Sequence, residues 1–250
     1  EMSFVDEEDV INVTEGMVKR VFDEELDLGL DLPLPRMTYE EAMNRFGSDR
    51  PDLRFGLELV DLSETVKDSS FNIFSGTVAD GGVVKGLCLK EPREYNRSQL
   101  DSLEDYAKEL GAMGLLWANV EEEGMEGQFV SHLTEETEEA ILDEFGAEPG
   151  DLLFMVADDR ETANDVLGGL RLRLADENEM IPEDEWKFVW ITRFPLFGKG
   201  EDGELTSEHH PFTAPRDEDI DKLKEDPLGV EAKAYDLVLN GIELGGGSIR

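Results

Sequence analysis

The chain has 250 residues, with 61 acidic against 23 basic and a formal charge of −38. Hydrophobic residues still make up 39% and recur in runs, which excludes a disordered acidic chain and indicates one large folded domain or two smaller ones. The charge also argues against simple electrostatic attraction to nucleic acid, so any RNA would need local Arg and Lys patches.

The acidity is spread along the whole length. It strains a compact state at low salt, and molar salt screens it within a few ångströms. A salt-adapted (halophilic) protein is expected, from an organism that keeps concentrated salt in its cytoplasm. The single cysteine, Cys88, lies in the apolar run Val83–Leu89; it allows no internal disulfide and fits a reducing compartment. No run approaches about eighteen consecutive apolar residues, and no basic-then-apolar leader is present. A soluble cytoplasmic protein with no membrane partner is expected. Glu1 and Arg250 both fall inside what read as strands, so both ends read as interior points of a longer protein.

In chain order, Glu1–Val5 reads as the end of a strand. Asp6 caps a helix to about Glu25, with Val10, Ile11, Val13, Met17, Val18, Val21 and Phe22 on its buried side. Leu28–Pro35 is a connection broken by Pro and Gly. Thr38-x-x-Glu41 forms a capping box for a short helix that Gly47 ends, and a polar turn leads to a strand near Gly56–Val60. Phe71–Phe74 and Val83–Leu89 read as strands across an Asp80-Gly81-Gly82 turn. Ser98 caps a helix to about Leu110, and Gly114–Val120 is a strand. Thr134 caps a helix to Phe145, Asp151–Ala157 is a strand, and Arg160–Leu174 is a helix. After Pro182, Trp186–Phe194 reads as a central strand. Gly198–Ser207 is a hairpin tip, and Asp217–Lys224 is helical. The texture changes near residues 70 and 180, so the expected organisation is 1–70, an α+β unit over 71–180, and 181–250.

The richest stretch is the last, Lys233–Arg250, reading KAYDLVLNGIELGGGSIR. Asn240-Gly241 between apolar-alternating runs predicts a two-residue type I′ hairpin. Leu239 then pairs with Ile242, Val238 with Glu243 and Asp236 with Gly245. Asp236, Val238 and Glu243 share one face, and the two carboxylates become diagonal neighbours, roughly 7–8 Å apart at their α-carbons, close enough to share one divalent ion. Gly245–Gly247 leaves bare backbone for a ligand or another chain segment. Arg250 follows Glu243 by seven positions, so a regular strand points it to the opposite face, and a bulge at the glycines would restore it. Together these features fit Mg²⁺, a nucleotide and a small anion. A solvated acidic hairpin is the plain alternative.

His209 and His210 are adjacent, so an extended segment sends them to opposite sides and a shared metal ion is not expected. The plain reading packs one against Phe212 and leaves the other solvated. The 71–180 unit carries no nucleophile with a base, no metal-ligand spacing and no phosphate loop, and reads as an inserted structural or interaction module.

The stretch YDLVLNGIELGGGSIR resembles the segment leading into the third class II motif of bacterial-type aspartyl-tRNA synthetases. MTYEEAMNRFGSDRPDLRFGLEL, from Met37, resembles the segment after their second motif, and Glu1–Val5 resembles the strand closing that motif. HHPFTAP, from His209, resembles their HHPFTSP loop, with Ala214 in place of the serine. The middle unit resembles the GAD domain of the same enzymes, a domain also found in amidotransferase subunits. The resemblance implies an α+β fold: part of a class II antiparallel-sheet catalytic domain with an inserted α+β GAD domain. It assigns His209 and Arg250 to L-aspartate, Glu243 to ATP and Mg²⁺, and Asp236 to the metal. It implies activation of aspartate with ATP and transfer to tRNA(Asp), within a homodimer, by a fragment inactive on its own. The Arg-bearing part of motif 2, the Gly-Arg part of motif 3, the motif 1 strand and an anticodon-binding barrel are not in these residues. An RNA- or partner-binding module built on the inserted unit is the non-enzymatic alternative. An amidotransferase subunit would share that unit but not HHPFTAP or ELGGGSIR.

Overall fold

The computed structural model describes residues 1–200 and 202–250. Its elements in chain order begin with α1 (Glu7–Leu26), β1 (Arg36–Thr38), α2 (Tyr39–Phe46), β2 (Val60–Asp61), α3 (Ser63–Val66) and α4 (Asn72–Ala79). There follow β3 (Val83–Leu89), α5 (Arg97–Glu109), β4 (Leu116–Glu121), β5 (Gly124–Glu126), α6 (Glu135–Phe145), β6 (Leu152–Asp158) and α7 (Arg160–Glu177). The last are β7 (Phe188–Thr192), β8 (Phe197–Lys199), β9 (Leu205–Ser207), β10 (Ala234–Leu239) and β11 (Ile242–Ser248). The fold is mixed α+β with mainly antiparallel sheets. It forms two compact units: Glu1–Ala42, Arg50–Leu53 and Trp186–Arg250 in one, Met43–Asp49 and Arg54–Glu185 in the other.

The first unit is a four-stranded sheet in the order β1-β7-β10-β11. β1 runs parallel to β7, and the other pairs are antiparallel. Helix α1 starts at Asp6, whose carboxylate accepts the Asp9 N–H while Asp9 accepts the Asp6 N–H in return; this satisfies two of the helix's open donors. Ile11 and Val18 pack on Phe188, Trp190, Tyr235, Leu237 and Leu239. Val13 and Met17 are 60% exposed and Val21 50%, although apolar content places them on the buried side. The helix carries more apolar residues than one face can bury. Glu15 takes a core position instead, because its Oε1 accepts both the Leu34 N–H (3.0 Å) and the Trp190 indole N–H (3.1 Å).

The second unit is a five-stranded sheet in the order β2-β3-β6-β4-β5 with helices on both faces. Alternation along β3 sends Val83, Leu87 and Leu89 into a core with α5 and α7, and Val84 into another with α3, α4 and α6. Residues 54–70, which texture places before the boundary near 70, pack with this unit. Val60 pairs with Gly86, and Leu62 and Val66 are in its core.

Several local expectations are corrected. Residues 1–5 form no strand; Phe4 is fully exposed at φ 59°, and among the described residues none offers that segment a ladder. Residues 56–59 are also not a strand. The carbonyls of Phe55, Gly56 and Leu57 accept from the buried Arg171 guanidinium instead, and Leu57 has φ 63°. Phe71–Phe74 is no strand either: α4 begins at Asn72, and Phe71 meets Phe74 edge to face at 5.0 Å. The i, i+3 spacing of a helix imitates a short apolar strand there. Asn96, with Gln99, caps α5 in place of Ser98. The expected helix at 217–224 is a 3₁₀ helix, Asp217–Leu223. The expected tip over 198–207 is in part strand, since β8 pairs with β9 across it; residue 201 lies outside the described residues. No helix among the described residues is long and apolar enough to cross a membrane.

Candidate active site

Asn240 and Gly241 have φ of 50° and 80°, the left-handed pair that a type I′ turn requires. The tip is fixed from outside as well, because Asn240 Oδ1 accepts the Lys187 N–H at 2.9 Å. Leu239 pairs with Ile242 and Val238 with Glu243, as the turn dictates. Beyond that the register slips by one: Leu237 faces Gly245, and Asp236 faces Gly246 in place of the expected Gly245. The bulge leaves Leu244 without a cross-strand partner, one residue before the glycines. Because side chains alternate, the extra residue puts Glu243, Gly246 and Ser248 on the same sheet face as Asp236 and Val238.

The glycines serve neighbours within the chain before any ligand. A β-carbon at 246 would fall on the Asp236 carboxylate, and one at 247 would meet the Tyr235 ring at 2.8–3.0 Å. A β-carbon at 245 would meet nothing among the described residues within 4 Å.

Asp236, Glu243 and His209 line one cleft of about 240 Å³, with His210, Thr213, Ala234, Gly246, Gly247 and Ser248. Residues 30 or so positions apart thus converge on the glycine strand. Arg250 is not in that lining. It borders a larger cavity of about 810 Å³ with Tyr235, Phe4, Val5 and Val10, and the two spaces share Gly246, Gly247 and Ser248.

His209 is half-buried, its ring edge-on to Phe194 at 5.4 Å. Its backbone carbonyl accepts the Ser207 hydroxyl at 2.9 Å. Burial holds the imidazole below its ordinary pKa, against the opposing charge of Glu208. Nε2 is shielded and has no hydrogen-bond partner among the described residues, a position suited to a ligand's polar group. His210 is exposed and local: its Nδ1 accepts the Phe212 N–H at 3.2 Å and its ring lies 5.0 Å from Phe212. Sequence reasoning missed Tyr235, Thr213 and Ser248. Each adjoins a residue that pattern or resemblance picked out, but alternation alone does not reveal which neighbours turn inward.

A conserved-family profile for class II tRNA synthetases (D, K and N) matches residues 1–250. The chain is 49% identical over 251 aligned positions to an aspartate–tRNA(Asp/Asn) ligase of Caldanaerobacter subterraneus subsp. tengcongensis. It is also 49% identical to the protein of that name from Halothermothrix orenii and 48% to an aspartate–tRNA ligase of Clostridium botulinum. In each case the match covers 100% of this chain and 42% of the relative. The chain belongs to the class II tRNA synthetases of the D, K and N group. Within that group, the relatives it resembles at this level carry the name of aspartate ligases, and it spans 42% of their length.

Proposed function

We propose that these residues form part of the active site of an ATP-dependent aspartate–tRNA ligase, with an inserted GAD domain in the second compact unit. The observation that carries the reading is the convergence of His209, Asp236 and Glu243 on one cleft over a glycine strand. In this reading aspartate attacks the α-phosphate of ATP, giving aspartyl-adenylate and pyrophosphate, and the aminoacyl group then passes to the terminal ribose of tRNA(Asp). The chemistry needs charge neutralisation and in-line placement more than a protein nucleophile. That suits a site without a Ser–His or Cys–His pair.

Each residue has a role that its chemistry fits. Neutral His209 offers its unpartnered Nε2 to the amino acid. Arg250 clamps a substrate carboxylate, a task for a planar bidentate donor. Glu243 and Asp236 would hold the Mg²⁺ that accompanies ATP, an ion for which one or two protein carboxylates suffice, and it would supply neutralisation of phosphate charge. Among the described residues no group of three or more His, Cys, Asp or Glu side chains is placed to hold a metal. The whole enzyme is proposed to be a cytoplasmic homodimer working in concentrated salt.

The test is aspartate-dependent ATP–pyrophosphate exchange in molar KCl. The 250-residue chain is compared with a chimera in which it replaces the matching section of the Caldanaerobacter relative. Exchange by the chimera and none by the chain alone is expected, with Glu243→Gln abolishing it. A folded chimera without exchange defeats the assignment and advances the RNA- or partner-binding module.

A further inference from the structure

The loop carrying His209 is tied to the glycine strand at one end. Ala214 N–H donates to the Ile249 carbonyl at 2.8 Å, and the Ala214 carbonyl accepts from Lys233 N–H at 2.9 Å. Upstream, a turn closes from Thr213 N–H to the His210 carbonyl at 2.8 Å, with Pro211 at its second position, where proline's fixed φ is favoured. Thr213 stands between turn and anchor. It is a polar residue only 7% exposed, and its Oγ1 donates to Ser248 Oγ at 3.2 Å. Both hydroxyl residues line the cleft that His209, Asp236 and Glu243 share. Ser248 is on the Asp236 face only because of the Leu244 bulge, so the register that seats the carboxylates also brings this hydroxyl to the loop.

We propose that Thr213 is a positioning residue: its hydrogen bond to Ser248 fixes the loop against β11 and thereby sets where His209 stands in the cleft. The part of this concerning substrate rests on the ligase reading above; the part concerning loop order does not. Branching at the β-carbon restricts the side-chain rotamers of threonine and valine alike, so the two differ here in the hydroxyl. A hydroxyl on that branch adds a directional link that a methyl group cannot supply. Serine should retain most of the effect, with a freer rotamer.

Two measurements separate the claims. The first is amide hydrogen exchange on the 250-residue chain. Thr213→Val should speed exchange at Phe212, Thr213 and Ala214 about fivefold, the worth of one net hydrogen bond. The melting temperature should stay within about 2 °C, Ser248→Ala should do the same, and Thr213→Ser should restore most of the protection. Unchanged exchange in both Thr213→Val and Ser248→Ala overturns the latch. The second uses the chimera: Thr213→Val should raise the KM for aspartate about fivefold while kcat for exchange stays within about twofold. A fall in kcat with unchanged KM overturns the positioning role. A chimera that performs no exchange defeats the ligase reading and leaves the exchange experiment to decide the latch.

Discussion

Asp236 rests its carboxylate where a side chain on Gly246 would have to go. The nearest atoms are the end of a flexible side chain, so a methyl group at 246 would turn Asp236 aside, while the Tyr235 carbonyl at 3.2 Å needs to give only by a few tenths of an ångström. Gly246→Ala is therefore expected to weaken Mg-ATP binding by the chimera about tenfold or more, with little loss of stability. Gly245→Ala, with open space around it, should stay within about twofold. Titration calorimetry on the two variants checks this, and equal losses would show that the carboxylate is not what the glycine protects.

Gly47 presents the opposite case. Its φ is 64°, and a β-carbon there would meet the Asn164 carbonyl and lie 2.8 Å from the Gly168 amide nitrogen. Backbone cannot swing away. Gly47→Ala should lose at least about 2 kcal/mol, from the left-handed conformation and the helix displacement together. A urea midpoint equal to wild type would contradict the close approach of this segment to α7.

Asp151 gives a pH dependence of definite sign. Its burial would raise the carboxyl pKa, but the Lys90 ammonium at 2.8 Å and the N–H groups of Glu148 and Glu91 outweigh that and hold it below the usual carboxylate range. A lowered folded-state pKa supplies stability above the unfolded value, near 3.9, that is lost as pH falls through the folded one. Asp151→Asn should cost about 2 kcal/mol at pH 7. The gap to wild type should shrink below about pH 4. A gap that stays constant down to pH 2.5 would assign the loss to packing.

The −38 charge predicts a salt response. Raising KCl from about 0.1 M to 2 M should lift the melting temperature by at least about 5 °C, as repulsion among carboxylates is screened. The exposed ion pairs, such as Arg20–Glu24 at 2.8 Å, weaken over the same range, but each contributes about 1 kcal/mol or less. A melting temperature that falls with salt would reject salt adaptation.

Much was legible without coordinates, and for local reasons. Asp6, Thr134 and Thr38 announce helix starts through short-range hydrogen bonds. Asn240-Gly241 fixes a turn by backbone sterics, and that turn sets the Val238–Glu243 pair. The near-continuous apolar runs at 83–89, 152–158 and 188–192 declare buried strands. Where the expectations failed, the missing information was a distant partner. Arg171 draws carbonyls at 55–57 out of a strand from 114 to 116 residues away. The Trp190 indole makes room for Glu15 in an apolar helix face.

The sequence by itself supplied the candidate residues: a histidine loop, two carboxylates, three glycines and an arginine, each in a recognisable stretch. Only the tertiary structure decided their grouping. One unpaired residue, Leu244, shifts the register so that Gly246 lies beneath Asp236 and Ser248 meets Thr213, while Arg250 borders the adjoining cavity. A strand's side chains alternate with a period of two, so a single bulge reverses every facing beyond it. Pattern foresees that a bulge would matter; ladder hydrogen bonds and the core packing of β10, the buried strand of the pair, choose where it falls.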